Sequence, residues 1–191
     1  GSADITVTTG KTPSVSVEAS KDTLDRMDIR VDGSTLRIGM KKNTWGNWNS
    51  GKIKVAVTVP MLRSVDLSGS GSVVVNQIKV PEFTAGISGS GEARFPSVDA
   101  GTVRLSISGS GDVDAAGRCG AAHVDIAGSG DVDIGKLQCT SLSASIAGSG
   151  DIDAYATTTA NISIAGSGDA RVAGGAKCKI SKAGSGTVTC G

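Results

Sequence analysis

The triplet Gly-Ser-Gly occurs seven times in this chain, starting at Gly69, Gly89, Gly109, Gly128, Gly148, Gly166 and Gly184, with spacings of 20, 20, 19, 20, 18 and 18 residues. One copy carries no information, but seven at a nearly fixed period describe a repeat protein whose units pack on their neighbours. Counted from the first glycine of each triplet, five positions are candidates for a shared interior: six, four and two residues before it, and four and six residues after it. The row two residues before reads Leu67, Ile87, Ile107, Ile126, Ile146, Ile164 and Lys182. Across all five rows the two non-apolar members are Arg63 and Lys182, which fall in the first and last copies, the ends of a stack. Polar or small residues, mostly Ser and Asp, alternate with the apolar ones, and this period of two belongs to strands with one buried and one wet face.

A unit of about 19 residues holding two or three short strands cannot bury its apolar face alone, so the coils must stack and pair in parallel. The expected fold class is all-β: a single right-handed parallel β-helix, or solenoid, because crossovers between parallel strands are right-handed. Seven coils at a strand spacing of about 4.8 Å make a column about 34 Å long. Gly-Ser-Gly supplies corners where φ is positive or no Cβ fits. Twenty-eight glycines and five aromatic residues among 191 disfavour a large helical core.

The chain reads as one domain, with residues 61–191 forming seven triplet-punctuated coils and residues 1–60 forming strands that cap the N-terminal end. Those first residues alternate in Ile5/Val7, Val15/Val17, Ile29/Val31, Leu36/Ile38/Met40 and Ile53/Val55/Val57/Val59. Lys21 to Met27 suits one helical turn. Two pairings of the N-terminal strands stay open, antiparallel or as irregular extra coils. A formal charge of +1 gives no electrostatic footprint for nucleic acid. No apolar run is long enough to span a membrane as a helix. The partner classes left are a surface glycan or a protein, and a lipid anchor on a preceding segment is one way such a chain is held at a membrane.

The alternating N-terminal strands, Val59-Pro60-Met61-Leu62 leading into Val65-Asp66-Leu67-Ser68-Gly69-Ser70-Gly71, and the recurrent Ile-Ala-Gly-Ser-Gly-Asp together resemble the putative auto-transporter adhesin head GIN domain family of Gram-negative bacteria. The resemblance covers nearly the whole chain. It implies an extracytoplasmic β-helix, at the cell surface, attached to the outer membrane or periplasmic, and carries no family active site.

Directly after the triplets stand Ser72, Glu92, Asp112, Asp131, Asp151, Asp169 and Thr187, and two residues further on stand Asp114, Asp133 and Asp153, flanked by Arg94 and Arg171. Like charges at neighbouring-strand spacing repel, so either backbone donors and water relax this ladder or a cation neutralises it. The row Asp112, Asp131, Asp151 is thus a weak Ca²⁺ candidate, because stacked strands line carboxylates up instead of wrapping them round an ion; no other cofactor or metal is expected. Cys119 and Cys139 each lie nine residues before a triplet in adjacent coils, within disulfide reach of one another if the strands stack. Cys178 and Cys190 face inward in the last coil, either paired or as small core residues. His123 and Asp125 share an outward face, with Arg104 and Ser143 on either side, but nothing there positions a nucleophile or an oxyanion hole. Trp45 and Trp48 lie in a polar loop, Asn43 to Gly51, and either stack on sugar rings or fold over the capped end.

Two functional classes follow. One is a non-catalytic structural or binding module of adhesin type, contacting its ligand through Trp45, Trp48 and the Asp rows. The other is a polysaccharide-cleaving β-helix enzyme that uses those rows with Ca²⁺. Coil length discriminates them: spacings that vary by two residues leave no long excursions to wall a substrate groove, which favours the module.

Overall fold

A computed structural model describes residues 2–41 and 52–191. The elements are β1 (Ala3–Thr9), β2 (Ser14–Glu18), α1 (Lys21–Arg26), β3 (Met27–Asp32), β4 (Thr35–Met40), β5 (Ile53–Val59), β6 (Ser64–Gly69), β7 (Ser72–Val75), β8 (Ile78–Gly89), β9 (Glu92–Gly109), β10 (Asp112–Gly128), β11 (Val132–Gly148), β12 (Ile152–Gly166), β13 (Ala170–Ala173), β14 (Lys177–Gly184) and β15 (Val188–Cys190). From β6 to β15 the chain is a parallel β-solenoid in which each strand pairs with its counterpart one coil away. The seven triplets bound six complete coils, and β15 begins the next turn without finishing it.

Each coil has three sides. The first runs from the triplet, as in Val113↔Val132; the second carries Cys119↔Cys139; the third runs into the next triplet, as in Val124↔Ala144 and Ile126↔Ile146. The five apolar rows read from the triplet spacing line the first and third sides, and all are buried in the central coils. The second side adds two further interior rows, Ile78, Val98 and Leu137 in one and Val80, Ala100, Cys119, Cys139 and Ala156 in the other. Sequence spacing concealed these rows because the shorter coils lose residues there. Register shifts fall between Ala115 and Gly117 and between Ile134 and Gln138, whereas the third side and the triplet stay in step.

The triplet glycines hold the corners for two reasons. Gly148 has φ 138°, a conformation that side-chain-bearing residues rarely adopt, and a Cβ on it would overlap the carbonyl oxygen of Gly128 in the coil below. The interior is otherwise aliphatic. Phe83 and Phe95, fully buried, meet edge to face with ring centroids 5.0 Å apart and fill the interior of the first coils.

The two ends are finished differently. At the C-terminal end the isoleucine row terminates in Lys182, partner of Ile164, and its ammonium donates to the carbonyl oxygen of Gly186 at 2.7 Å. A charge at this core position stops the stack, since another coil would bury it. At the N-terminal end the two open pairings both occur. β1 and β5 extend the first side as parallel rungs, in the order β7-β1-β5, and β2 covers the outer edge of β5 antiparallel. α1 is the short helix expected near Lys21, capped by Ser20, whose hydroxyl accepts from the Thr23 amide. β3 and β4 form a separate hairpin with an apolar face, on which Met27 is buried and Leu36, Ile38 and Met40 pack against the core.

Candidate functional site

The first side of the solenoid carries the two acidic columns. Stacking places Glu92, Asp112, Asp131, Asp151 and Asp169 in one line, and Asp114, Asp133 and Asp153 in a second beside it, between Arg94 and Arg171. All point outward, because the alternation that buries Val113, Val132 and Ile152 turns their neighbours to solvent. A shallow groove of about 320 Å³ lies across the last coils, lined by Asp131, Asp133, Asp151, Asp153, Asp169 and Arg171 among others.

Backbone amides of the following coil donate to the carboxylates of the first column. One carboxylate oxygen of Asp112 accepts the amide of Asp131 (3.3 Å), Asp131 accepts that of Asp151 (3.0 Å), Asp151 that of Asp169 (2.8 Å), and Asp169 that of Thr187 (2.7 Å). The Thr187 hydroxyl also donates to Asp169, at 2.8 Å. Each carboxylate thus caps the corner of the following coil, in the manner of an Asx turn carried across strands. The column begins earlier than the triplets do: Asp4 of β1 accepts a hydrogen bond from Ser72 at 2.8 Å. No periodic signal marks Asp4, which is why the spacing did not find it. Among the described residues no ion pair involves Asp112, Asp114, Asp131, Asp133 or Asp151, while Arg94 pairs with Glu92 and Arg171 lies 3.9 Å from Asp153. The uncompensated negative charge is concentrated on one face of a chain whose total is +1.

The hydrogen bonds from Thr187, backbone first and hydroxyl second, hold the Asp169 carboxyl below its ordinary value of 3.8. A carboxyl that is more acidic folded than unfolded adds stability above its unfolded pKa, and that contribution disappears as the pH falls through the folded value. The end coil should therefore loosen in acid. By NMR titration the Thr187 amide shift is expected to move with a midpoint below 3.8, and Asp169→Asn should abolish the step; a midpoint above 3.8 would contradict the ladder.

The other candidates separate clearly. Cys119 and Cys139 are register partners on the second side and form a disulfide, with Cα atoms 4.5 Å apart. Cys178 and Cys190 form a second one, Cα atoms 6.5 Å apart, joining β14 to β15 across the last turn. His123 stacks between Arg104 and Ser143, but among the described residues no hydrogen bond links it to Asp125 or Ser143. Trp45 and Trp48 lie outside the described residues. Among those residues no group of three or more His, Cys, Asp or Glu side chains converges so as to hold a metal ion. The third side bears a groove of about 560 Å³ that the Asp pattern did not signal, floored by small side chains such as Ser68, Ser88, Ser106 and Ser108. No helix among the described residues is long and apolar enough to cross a membrane.

The fold recurs in solved structures. A protein described as a putative adhesin from Bacteroides fragilis NCTC 9343 superposes with a TM-score of 0.89 at 21% identity, over 100% of this chain and 88% of that one. One described as a putative lipid binding protein from Parabacteroides distasonis ATCC 8503 gives 0.81 at 25% identity, covering 100% and 89%. A putative adhesin from Parabacteroides merdae ATCC 43184 gives 0.74 at 19% identity, again covering 100% and 89%. No curated protein matches the chain. The sequence profile described as putative auto-transporter adhesin, head GIN domain, matches residues 1–176, in which lie both acidic columns and six of the seven triplets, and the chain belongs to that family.

Proposed function

We propose that this protein is a non-catalytic, extracytoplasmic binding module of adhesin type, and that the acidic first side is its contact surface. The single observation that carries the reading is the arrangement of carboxylates: two parallel columns whose members repeat at the strand spacing, each fixed by its coil, with Arg94 and Arg171 flanking the second. Such a surface presents like groups along an exposed line. It suits a long partner bound by the sum of many weak contacts, and the chemistry complementary to it is cationic, such as a basic protein segment. Catalysis asks for unlike groups converging on a water-excluding point, and His123, Asp125 and Ser143 do not converge. Two disulfides fit an oxidising compartment outside the cytoplasm, either at the cell surface or in the periplasm. The naming of relatives as adhesins and as a lipid binding protein supports a binding role in general terms.

The test uses immobilised polylysine beside neutral and acidic polysaccharides, with and without millimolar Ca²⁺. Binding to polylysine should weaken with salt and fall further when Asp114, Asp133 and Asp153 are changed together to Asn, since none of these three caps the next coil. Binding that ignores those substitutions would move the contact surface elsewhere. Release of reducing or unsaturated ends from a polysaccharide, lost in Asp131→Asn, would restore the enzyme reading. Retention on an acidic polysaccharide only when Ca²⁺ is present would make the Asp row a cation bridge.

A further inference from the structure

The last rung of the column is held unlike the others. β15 has three residues, paired to β13 as Ala170↔Val188, Arg171↔Thr189 and Val172↔Cys190, in a turn that the chain does not complete. Around it the Ala170 amide donates to the Thr187 carbonyl (2.9 Å), the Gly191 amide to that of Val172 (3.0 Å), and Thr187 to the Asp169 carboxylate. Bonds at an end fray unless something ties the segment down. The Cys178–Cys190 disulfide is that tie, running from β14, which stacks on β12 on the third side, to β15, which stacks on β13 on the first. The inner bridge differs, because Cys119 and Cys139 join β10 to β11, strands already paired along all three sides, so breaking it frees no element.

We propose that Cys178–Cys190 is a redox latch, whose reduction by a dithiol frees β15 from β13 and whose reoxidation seats it again. The packing shows what the latch controls. Ala170 and Val172 are buried beside β15, and its departure gives them to solvent together with the outer edge of β13. It also takes Thr187 and Thr189 out of the wall of the groove of about 320 Å³ on the first side, and leaves Asp169 without the amide and hydroxyl of Thr187. The inference stands independently of what the acidic side binds.

The surroundings suit thiol–disulfide exchange. Cys178 and Cys190 are half-buried at the end of the column, whereas Cys119 and Cys139 are buried. From residue 170 onward the chain has three lysines, one arginine and no Asp or Glu, and Lys177 and Lys179 flank Cys178. Cationic neighbours stabilise a thiolate, which makes Cys178 the better leaving group. A thiolate of the reductant attacks Sγ of Cys190, the Cys178–Cys190 bond breaks, and Cys178 departs as a thiolate while Cys190 is held in a mixed disulfide. The second thiol of the reductant then displaces Cys190. Two electrons pass to the protein's sulfurs, the two thiol protons end on Cys178 and Cys190, and the reductant leaves as a disulfide. Closure is the same exchange in reverse, with a disulfide as the oxidant.

The test is amide hydrogen exchange on the full chain, read by NMR in three forms: oxidised, treated with dithiothreitol at a level where alkylation shows residues 119 and 139 still bridged, and Cys178→Ser/Cys190→Ser. The serine variant opens the latch without any reductant. In both open forms the Ala170 amide should exchange faster by about tenfold or more, while the Val132 amide, which donates to Asp151 two coils further in, keeps its protection. Exchanging dithiothreitol for oxidised glutathione should restore protection at Ala170. An Ala170 amide equally protected in the open forms overturns the proposal. So does protection lost to the same degree at Val132, which would make the bridge a brace for the whole column, and so does a reduced chain that stays open under oxidised glutathione.

Discussion

Replacing Gly148 with alanine should remove about 2–5 kcal/mol of stability, enough to unfold a domain of ordinary stability under mild denaturant. Two costs combine. The residue sits at φ 138°, where a Cβ costs roughly 1–2 kcal/mol in backbone strain. The Cβ must also displace the Gly128 carbonyl, part of a column of stacked corners that cannot shift singly, and overpacking of this kind costs about 1–3 kcal/mol. Urea unfolding followed by circular dichroism measures the loss. A midpoint within error of wild type would mean that the corners are not held by backbone contact. Ser149, between the two glycines and pointing to solvent, gives the control: Ser149→Ala is expected to change the midpoint little.

The second large effect belongs to the Cys119–Cys139 bridge. Its ends are 20 residues apart, one full coil, and a loop of that length corresponds to about 3 kcal/mol of unfolded-state entropy. Cys119→Ala/Cys139→Ala should lose about that much, since both side chains are buried and alanine leaves no orphaned polar group. The two bridges should also differ in reactivity. Both sulfurs of the inner one belong to buried residues, whereas Cys178 and Cys190 are half-buried at the end of the column. Mild reductant without denaturant should open Cys178–Cys190 first, as read by alkylation and peptide mapping. Equal rates, or free thiols at 119 and 139 in the protein purified in air, would contradict the stacked placement.

The period of the triplets made most of the solenoid legible, because stacking converts sequence offset directly into spatial register. Ile107, Ile126 and Ile146 line up in space as they do in the spacing, and so do Cys119 and Cys139. The second side was not legible as a set of rows, since Gly117 and Tyr155 stand where the chain has shed residues and the offsets break. At the N-terminal end no offset applies at all. The pairing of Ile5 with Val73 depends on which strand fits an open edge, a property of the assembled column that no local pattern encodes. The acidic rows were visible by position, but their resolution was not: a carboxylate binding the next coil's amide and one awaiting a cation have the same sequence.

The ladder from Asp112 to Thr187 also has a direction. Each coil offers an acceptor to the one after it and a donor to the one before, so any coil that keeps an Asp after its triplet can follow any other. Such a chain can lengthen by duplication of a unit of about 20 residues in its middle without redesign of either neighbour, as in other nearest-neighbour arrays. The junction between the coils of Cys119 and Cys139 is closed to this growth. A unit inserted between the coils of Cys119 and Cys139 would part the bridged sulfurs by two strand spacings, beyond disulfide reach, so the bridge marks the place where the length of the column is fixed.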